Sequence, residues 1–461
     1  MDYKDETIAA IATPIGVGGI GIIKISGKTA VDIAQQIFRP KWPLKSFDNF
    51  RLHLGYIIDP KSSLPLDEVL LSVMRGPFSY TREDVVEINS HSGYIILSNI
   101  LQIILQSGAR LAQPGEFTLR AFLNGRIDLT QAEAIIDLIN AKSDTSVRLA
   151  ANQLVGGLNA RINETRQALC DILINIEASL DFPDEESTSI TRPHIIDHLH
   201  SKILEPIKEI VSDYSQRKIW HEGIGVVIAG RVNTGKSSIL NRLLQKEKAL
   251  VTPIPGTTRD ILECGVTIEG IPLKMVDTAG IRKVRGTVEK KGVELTRAQL
   301  ASADITLFVI DRSRALNQYD YDLLHIVNKT TSIVVVNKID LPARASEKML
   351  SSFCRNLPRV DISALTGEGF QGLKEAIFNR VIDKTKGVAL SPIVPNLRQT
   401  VALKQAHDLL EKASVNLQAG LPLEIVAADL SWAKDAIDGI TGIKISEEIL
   451  HGIFNKLCIG K

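Results

Sequence analysis

The chain has 461 residues, 44% hydrophobic and 23% charged, with a net charge of +1; this is the composition of a soluble globular protein of roughly two to four domains. Near-neutrality excludes a globally basic nucleic-acid binder, so such a partner would have to be met by a local patch. Cysteines at 170, 264, 354 and 458 form no C-x-x-C pair and no metal-ligand spacing. They read as reduced thiols, and an acidic N-terminus without any apolar run near the ~20 residues of a membrane span points to the cytoplasm.

From residue 7 to about 118, short alternating runs are punctuated by glycine and proline: "GIGIIKIS" (19–26), "DEVLLSVM" (67–74) and "DVVEINSH" (84–91). They read as strands, and 93–109 reads as a helix, so this region is an α+β module. "GVGGIG" (16–21) matches G-x-G-x-x-G, yet "IIKIS" follows with strand alternation and no helix. A dinucleotide site is therefore not expected there. From about 120 to 217 apolar residues recur at three- and four-residue spacing, with Asp128 or Thr130 as the cap and Gly156-Gly157 as a break; a second helical run covers 192–219. Residues 222–382 alternate apolar strands ("GIGVVIAG", "LKMVDTAG", "DITLFVID", "TSIVVVNK") with helical stretches, which is a βαβ series and a mostly parallel sheet. After "SPIVPN" (391–396) helical periodicity returns and runs to the terminal "CIGK".

Chemistry concentrates in the βαβ region. "GRVNTGKSS" (230–238) fits G-x-x-x-x-G-K-[ST] between a strand and a helix. Such a loop, here Asn233, Thr234, Gly235, Lys236, Ser237 and Ser238, closes backbone N–H groups around phosphate oxygens at a helix N-terminus. Lys236 would reach the β- and γ-phosphates and the Ser237 hydroxyl a Mg²⁺ ion. "DTAG" (Asp277, Thr278, Ala279, Gly280) supplies a carboxylate near the metal and an N–H for the γ-phosphate. "NKID" (Asn337, Lys338, Asp340) offers guanine's N1–H and 2-amino group a carboxylate, selecting GTP over ATP. "SAL" (Ser363, Ala364) would cover the base edge, and "PGTTRD" offers Thr258 as a second Mg²⁺ ligand. Together these predict a Ras-like P-loop GTP-binding domain. Ile281 stands where many such proteins place a water-orienting glutamine, so catalytic help has to come from elsewhere. A monovalent cation held by Asn233 and by the carbonyls of Thr252 and Ile254 could supply part of it; Asn233 reads equally as a plain turn residue.

These motifs, with "ATPIGVGGIGIIKISG" (12–27), "REDVVEINSHSG" (82–93), "PGEFTLRAFLNGRIDLTQAEAI" (114–135), "DFPDEE" (181–186) and "CIGK", make the chain resemble the MnmE (TrmE) family of tRNA-modification GTPases from end to end. The resemblance implies an N-terminal folate-binding and dimerisation domain (1–119) and a discontinuous all-α domain (120–221 and 383–461). The α/β GTPase domain (222–382) is inserted between the two helical parts. It further implies a homodimer, a K⁺-dependent GTPase, and an FAD-containing partner of the MnmG (GidA) type in a heterotetramer. That assembly places a (carboxymethyl)aminomethyl group on the wobble uridine of tRNA, using a tetrahydrofolate donor such as the 5-formyl or methylene form. Carried over by position, K⁺ falls on Asn233, Thr252, Ile254 and Thr257, and Mg²⁺ on Ser237 and Thr258. Glu289 takes the role of the catalytic glutamate acting through water. Folate contacts fall on Lys24, Glu87, Arg126 and Lys461, and Cys458 faces the modification chemistry. This sequence departs from the usual pattern at Val232, Thr234, Pro253 and Leu457, and Lys24 and Arg126 are each the alternative basic residue. The alternative reading is a GTP-regulated ribosome-assembly factor without substrate chemistry; the balanced charge of the last 66 residues, seven basic against eight acidic, offers it no basic RNA surface.

Overall fold

The structure, a computed structural model, describes residues 6–14, 16, 18–141, 143–181, 191–212, 214, 223–246, 264–268, 271–277, 300, 303–326, 331–355, 357–385 and 393–461. The chain divides into two compact units, one of Met1–Ile139, Gln153–Lys208 and Val401–Lys461, the other of Asn140–Asn152 and Glu209–Thr400.

The first unit opens with β1 (Ile8–Ile11), β2 (Ile20–Ser26), α1 (Ala30–Ile37), β3 (Phe38–Pro40), β4 (Leu52–Ile58), β5 (Pro65–Met74), β6 (Val85–His91), α2 (Tyr94–Gln106) and β7 (Arg110–Leu111). The strands form a seven-stranded sheet in the order β3-β4-β5-β6-β2-β1-β7, antiparallel except for β1 with β7. Alternation decides which side is buried. Ile23 and Ile25 of β2, Val86 and Ile88 of β6 and Leu71 and Val73 of β5 point into one core with Ile33 and Ile37 of α1 and Leu97, Ile100 and Ile104 of α2. Gly21, the last glycine of "GVGGIG", has a packing role: a Cβ there would meet Leu97 at 2.7 Å, so its absence lets α2 lie directly on β2. β2 itself follows, and no helix does.

Helices α3 (Glu116–Leu123) and α4 (Leu129–Ile139) come next. Asp128, rather than Thr130, caps α4: its carboxylate accepts from the Thr130 and Gln131 N–H groups at 2.7 and 3.1 Å, and Gln131 Oε1 accepts from Asp128 N–H at 3.0 Å. After α5 (Asp144–Leu154), Gly156 turns at φ +93 before the long α6 (Gly157–Asp181). Then α7 (Arg192–Leu199) runs through a π turn (His200–Leu204) into α8 (Glu205–Ser212).

The second unit holds a six-stranded sheet made of β8 (Ile224–Gly230), β9 (Cys264–Ile268), β10 (Ile271–Asp277), β11 (Ile305–Asp311), β12 (Ser332–Asn337) and β13 (Arg359–Ile362), in the order β13-β12-β11-β8-β10-β9. All pairs are parallel except β9 with β10. Its central strands are buried along their whole length and mostly apolar because helices cover both faces: every residue of β11 and β12 is buried. The helices are α9 (Lys236–Lys246), α10 (Gln318–Ile326), α11 (Glu347–Phe353) and α12 (Phe370–Thr385). The strand order and mostly parallel pairing make this a Ras-like α/β sheet, with loops for a ligand at the carboxyl ends of its strands.

The chain then returns through α13 (Leu397–Gln418), α14 (Leu423–Thr441) and α15 (Glu447–Phe454). Val426, Leu430, Ala433, Ile437 and Ile440 make one buried stripe along α14. The buried Asp438 beside that stripe takes ion pairs from Arg166 of α6 and, at 2.7 Å, from Lys434. Ile453, Phe454 and Leu457 close a core with Leu119, Ala121, Ile127 and Leu129. Among the described residues, no helix is long and apolar enough to cross a membrane.

Candidate functional site

The nucleotide-type site is built from backbone turns that three parallel strands deliver to one edge. The loop between β8 and α9 takes left-handed conformations at Asn233 (φ +65) and Gly235 (φ +95), which turns successive N–H groups inward as a nest. Gly235 is required for a second reason: a Cβ there would lie 2.2 Å from Asn337 Nδ2. Asn337, at the end of β12, joins two predicted motifs. Its Nδ2 donates to the Thr234 carbonyl at 2.8 Å and its Oδ1 accepts from the Ala364 N–H at 2.9 Å. Buried Lys236 reaches across the loop, its Nζ donating to the Gly230 and Arg231 carbonyls at 2.9 and 2.6 Å. Ser237 and Ser238 follow, exposed, in the first turn of α9.

On the base side, Lys338 also has a positive φ of +67, and its Nζ donates to the Asn233 carbonyl at 2.9 Å and to Asp311 Oδ2 at 2.7 Å. Burial raises the Asp311 carboxyl, but Lys338 and the two donors of Ser313 outweigh it and hold the group below the usual carboxylate range. Asp340 Oδ1 accepts from Ser363 Oγ at 2.6 Å, and that hydroxyl in turn accepts from the Thr366 N–H at 3.1 Å. Asn233, Thr234, Gly235, Lys236, Asn337, Lys338, Asp340, Ser363 and Ala364 thus form one connected set. Asp277 ends β10 opposite Ile228 of β8. Thr252, Ile254, Thr257, Thr258, Thr278, Ala279, Gly280 and Glu289 lie outside the described residues.

Three supports of this site carried no motif signal. Asp311 anchors Lys338. Arg231 docks the phosphate loop on the capped start of α10, with Nε 3.1 Å from buried Asp320. Arg242 donates three hydrogen bonds to the carbonyls of residues 364–366. Such contacts span tens of residues in sequence, and the residue types involved are common on any helix.

A second cluster lies on the sheet of the first unit. Lys24 of β2 and Glu87 of β6 face each other across the strands, 3.5 Å apart and each about a quarter exposed. Tyr80 lies beside them: Lys24 Nζ is 5.8 Å and the Arg126 guanidinium 4.6 Å from its ring centroid, and its hydroxyl bonds Thr118 Oγ1 at 3.0 Å. Burial pushes the Tyr80 phenol above its ordinary value, against that hydrogen bond and the Arg126 charge. Tyr80, which no motif singled out, is the face on which both cations converge.

The loop carrying Tyr80 is fixed by ions and by Asn124, which donates to the Thr81 carbonyl at 2.7 Å. Fully buried Arg120 bonds Glu83 and Glu116 at 3.1 Å each, and Arg110 bonds the same Glu116 at 2.7 Å. Burial raises the Glu116 carboxyl, but Arg110, the Gln113 N–H and Arg120 more than offset it, so its pKa stays below the ordinary value.

The carboxyl-terminal tail is tied to the same unit. The Gly115 and Lys461 N–H groups both donate to the Cys458 carbonyl at 3.3 Å, and Gly460 (φ +92) sits so close to β1 that a Cβ would meet the Ala12 Cα at 2.7 Å. Leu457 is buried, while Cys458 carries an exposed free thiol. By contrast, Cys354 is a core thiol whose pKa burial pushes up to about 11.

A parallel sheet that feeds a phosphate loop into a helix, with N-K-x-D and a covering loop at the neighbouring strand ends, defines a Ras-like P-loop GTPase. Family models described as "GTP-binding protein TrmE N-terminus" and "MnmE helical domain" match residues 7–126 and 129–458. The chain is 44% identical to the tRNA modification GTPase MnmE of Carboxydothermus hydrogenoformans over 99% of this chain and 100% of that one. It is 43% identical to the protein of the same name from Acetivibrio thermocellus over 100% of both. Among solved structures, the G domain of the T. maritima FeoB iron transporter aligns at 25% identity over 34% of this chain and 98% of that one, with a TM-score of 0.26; an overlap that small carries no weight. The chain belongs to the MnmE family of GTPases.

Proposed function

We propose that this protein hydrolyses GTP in a K⁺-dependent manner as a homodimer. With an FAD-containing partner of the MnmG type, it modifies the wobble uridine of tRNA using a one-carbon unit from a tetrahydrofolate. The observation that carries the reading is the meeting of Lys24, Glu87 and Arg126 around Tyr80, in a chain that also holds a complete base-recognition set. A GTPase acting only as an assembly switch has no use for such a cluster. Its donors fit a folate. Two cations suit the glutamate carboxylates, a carboxylate suits the pterin N–H edge, and an aromatic face suits a flat ring. Lys461 ends a tail anchored at β1, whose Ala10 pairs with Lys24. A bound tetrahydrofolate would supply the one-carbon unit. This chain's part is to hold and orient it, with Cys458 exposed on the same unit.

In the GTPase domain the phosphate loop positions substrate: Lys236 and the nest of N–H groups bind phosphate oxygens, and Asp340 reads the base. Ser237 and Thr258 would hold Mg²⁺. Asn233, exposed at the crest of the loop, would hold K⁺ with Thr252, Ile254 and Thr257. The cation would supply positive charge near the leaving phosphate, and Glu289 would orient the attacking water that Ile281 cannot. GTP hydrolysis compared in KCl and NaCl, for wild type and Glu289→Ala, tests the mechanism: equal rates in both salts together with an active variant would remove it. Nucleoside analysis of tRNA from a deletion strain tests the substrate, because unchanged wobble uridines would contradict the proposal.

A further inference from the structure

The loop over the base side of the GTP site is held by a residue outside every motif. Arg242, in the second turn of α9, donates from Nη1 to the carbonyls of Ala364 at 2.8 Å and Leu365 at 2.7 Å, and from Nη2 to that of Thr366 at 2.8 Å. Its guanidinium lies 5.8 Å from the Phe370 ring centroid. Gly367, at φ +93, leaves the space it fills: a Cβ there would be 2.5 Å from Nη2. Three consecutive carbonyl oxygens aimed at one point repel one another unless a cation sits among them, and a planar five-donor fork serves several at once where an ammonium does not.

The consequence falls on the other side of the loop. In a trans peptide the C=O and N–H point in opposite directions. Fixing the 364 and 365 carbonyls on Arg242 therefore turns the N–H groups of Leu365 and Thr366 away from it. That is the side on which Thr366 N–H meets Ser363 Oγ, Ser363 Oγ meets Asp340, and Ala364 N–H meets Asn337. The loop thus shows carbonyls to Arg242 and donors to the base-recognition residues.

We propose that Arg242 is a positioning residue for the base site: by fixing the carbonyls of 364–366 it turns the Leu365 N–H, which the Asn337 and Ser363 contacts leave uncommitted, toward the C6 oxygen of guanine, while Asp340 takes N1–H and the 2-amino group. Adenine, with an amine at C6, would set donor against donor. The inference rests on the GTPase reading above and adds to it the residue that holds the loop over the base.

The test is steady-state hydrolysis of GTP and ITP by the full chain and its Arg242→Ala and Arg242→Lys variants. GTP and ITP share the C6 oxygen and differ in the 2-amino group. In Arg242→Ala, KM for both should rise about tenfold, the worth of one hydrogen bond, and their ratio should stay that of wild type. The rate constant kcat should remain within about twofold, since binding and not the chemical step is altered. Arg242→Lys should be nearly as impaired, because it keeps the charge and loses the fork. An unchanged KM in Arg242→Ala, recovery in Arg242→Lys, or a kcat loss matching the KM change would overturn the role of Arg242 alone. Wild-type protein without GTP hydrolysis would overturn the underlying reading and this inference with it.

Discussion

In the six-stranded sheet the polar residues sit where strands end. Asn337 closes β12, Asp311 closes β11, and the phosphate loop leaves β8, so most contacts run through backbone groups of adjoining turns. In the seven-stranded sheet the charged pair Lys24–Glu87 lies mid-strand on the sheet face, and the cluster is completed by Tyr80, from the loop before β6, and by Arg126, from the turn before α4. The contrast follows from topology. Parallel strands buried on both faces leave only their ends for a ligand, whereas an antiparallel sheet with one face packed keeps the other for side chains. A site made of turns is rigid because its backbone is; a site made of side chains depends on what fixes the loops around it. Here the Arg120–Glu116–Glu83 network and the anchored tail provide that support.

If the two sites are separately built, damage to one should spare the other, and the largest effect comes from removing a charge that meets phosphate. Lys236→Ala should lower GTP turnover by roughly 10²–10³, while binding of 5-formyl-tetrahydrofolate, followed by calorimetry, stays as in wild type; a loss of both would break the separation.

Next in size is Glu116→Gln, which strips the buried Arg120 of one partner and should destabilise the first unit by about 3 kcal/mol in urea titration. The sign with pH follows from a folded pKa below the ordinary 4.5. The stabilisation is present above that value and is lost as pH falls through the folded pKa, so variant and wild type should converge in acid. Nucleotide affinity measured on the same samples should not change.

The smallest effect sharpens the side-chain site itself. Tyr80→Leu keeps an apolar body and removes the ring under the two cations. Folate affinity should fall about fivefold, near 1 kcal/mol, and Phe at the same position should recover it.

How far each region could be read beforehand follows the same contrast. The nucleotide loop was legible because its determinants are contiguous and carry local chemistry; "GRVNTGKSS" and "NKID" lie at the strand ends and helix start their pattern predicts. The reason Gly235 must be glycine was not legible, since the obstructing atom belongs to Asn337, about a hundred residues on. Arg242 and Asp311 were missed for the same reason. The cluster on the other sheet is composed of residues 24, 80, 87 and 126, brought together by strand register and by the turn before α4. No spacing rule joins them, so Lys24, Glu87 and Arg126 were named through family resemblance, and Tyr80, for which no resemblance spoke, was not. Asp128 illustrates the intermediate case: the sequence left it level with Thr130 as a cap, and only the hydrogen bonds separated them.

The tail joins this comparison to function. Cys458 is exposed, its carbonyl is bonded on both sides, and it belongs to the unit without the nucleotide site. The most direct measurement is therefore Cys458→Ser, assayed in parallel for GTP hydrolysis in KCl and for wobble-uridine modification of tRNA in a strain dependent on this protein. The account predicts modification abolished and hydrolysis within about twofold of wild type. Full modification with the serine, or equal loss of both activities, would contradict it.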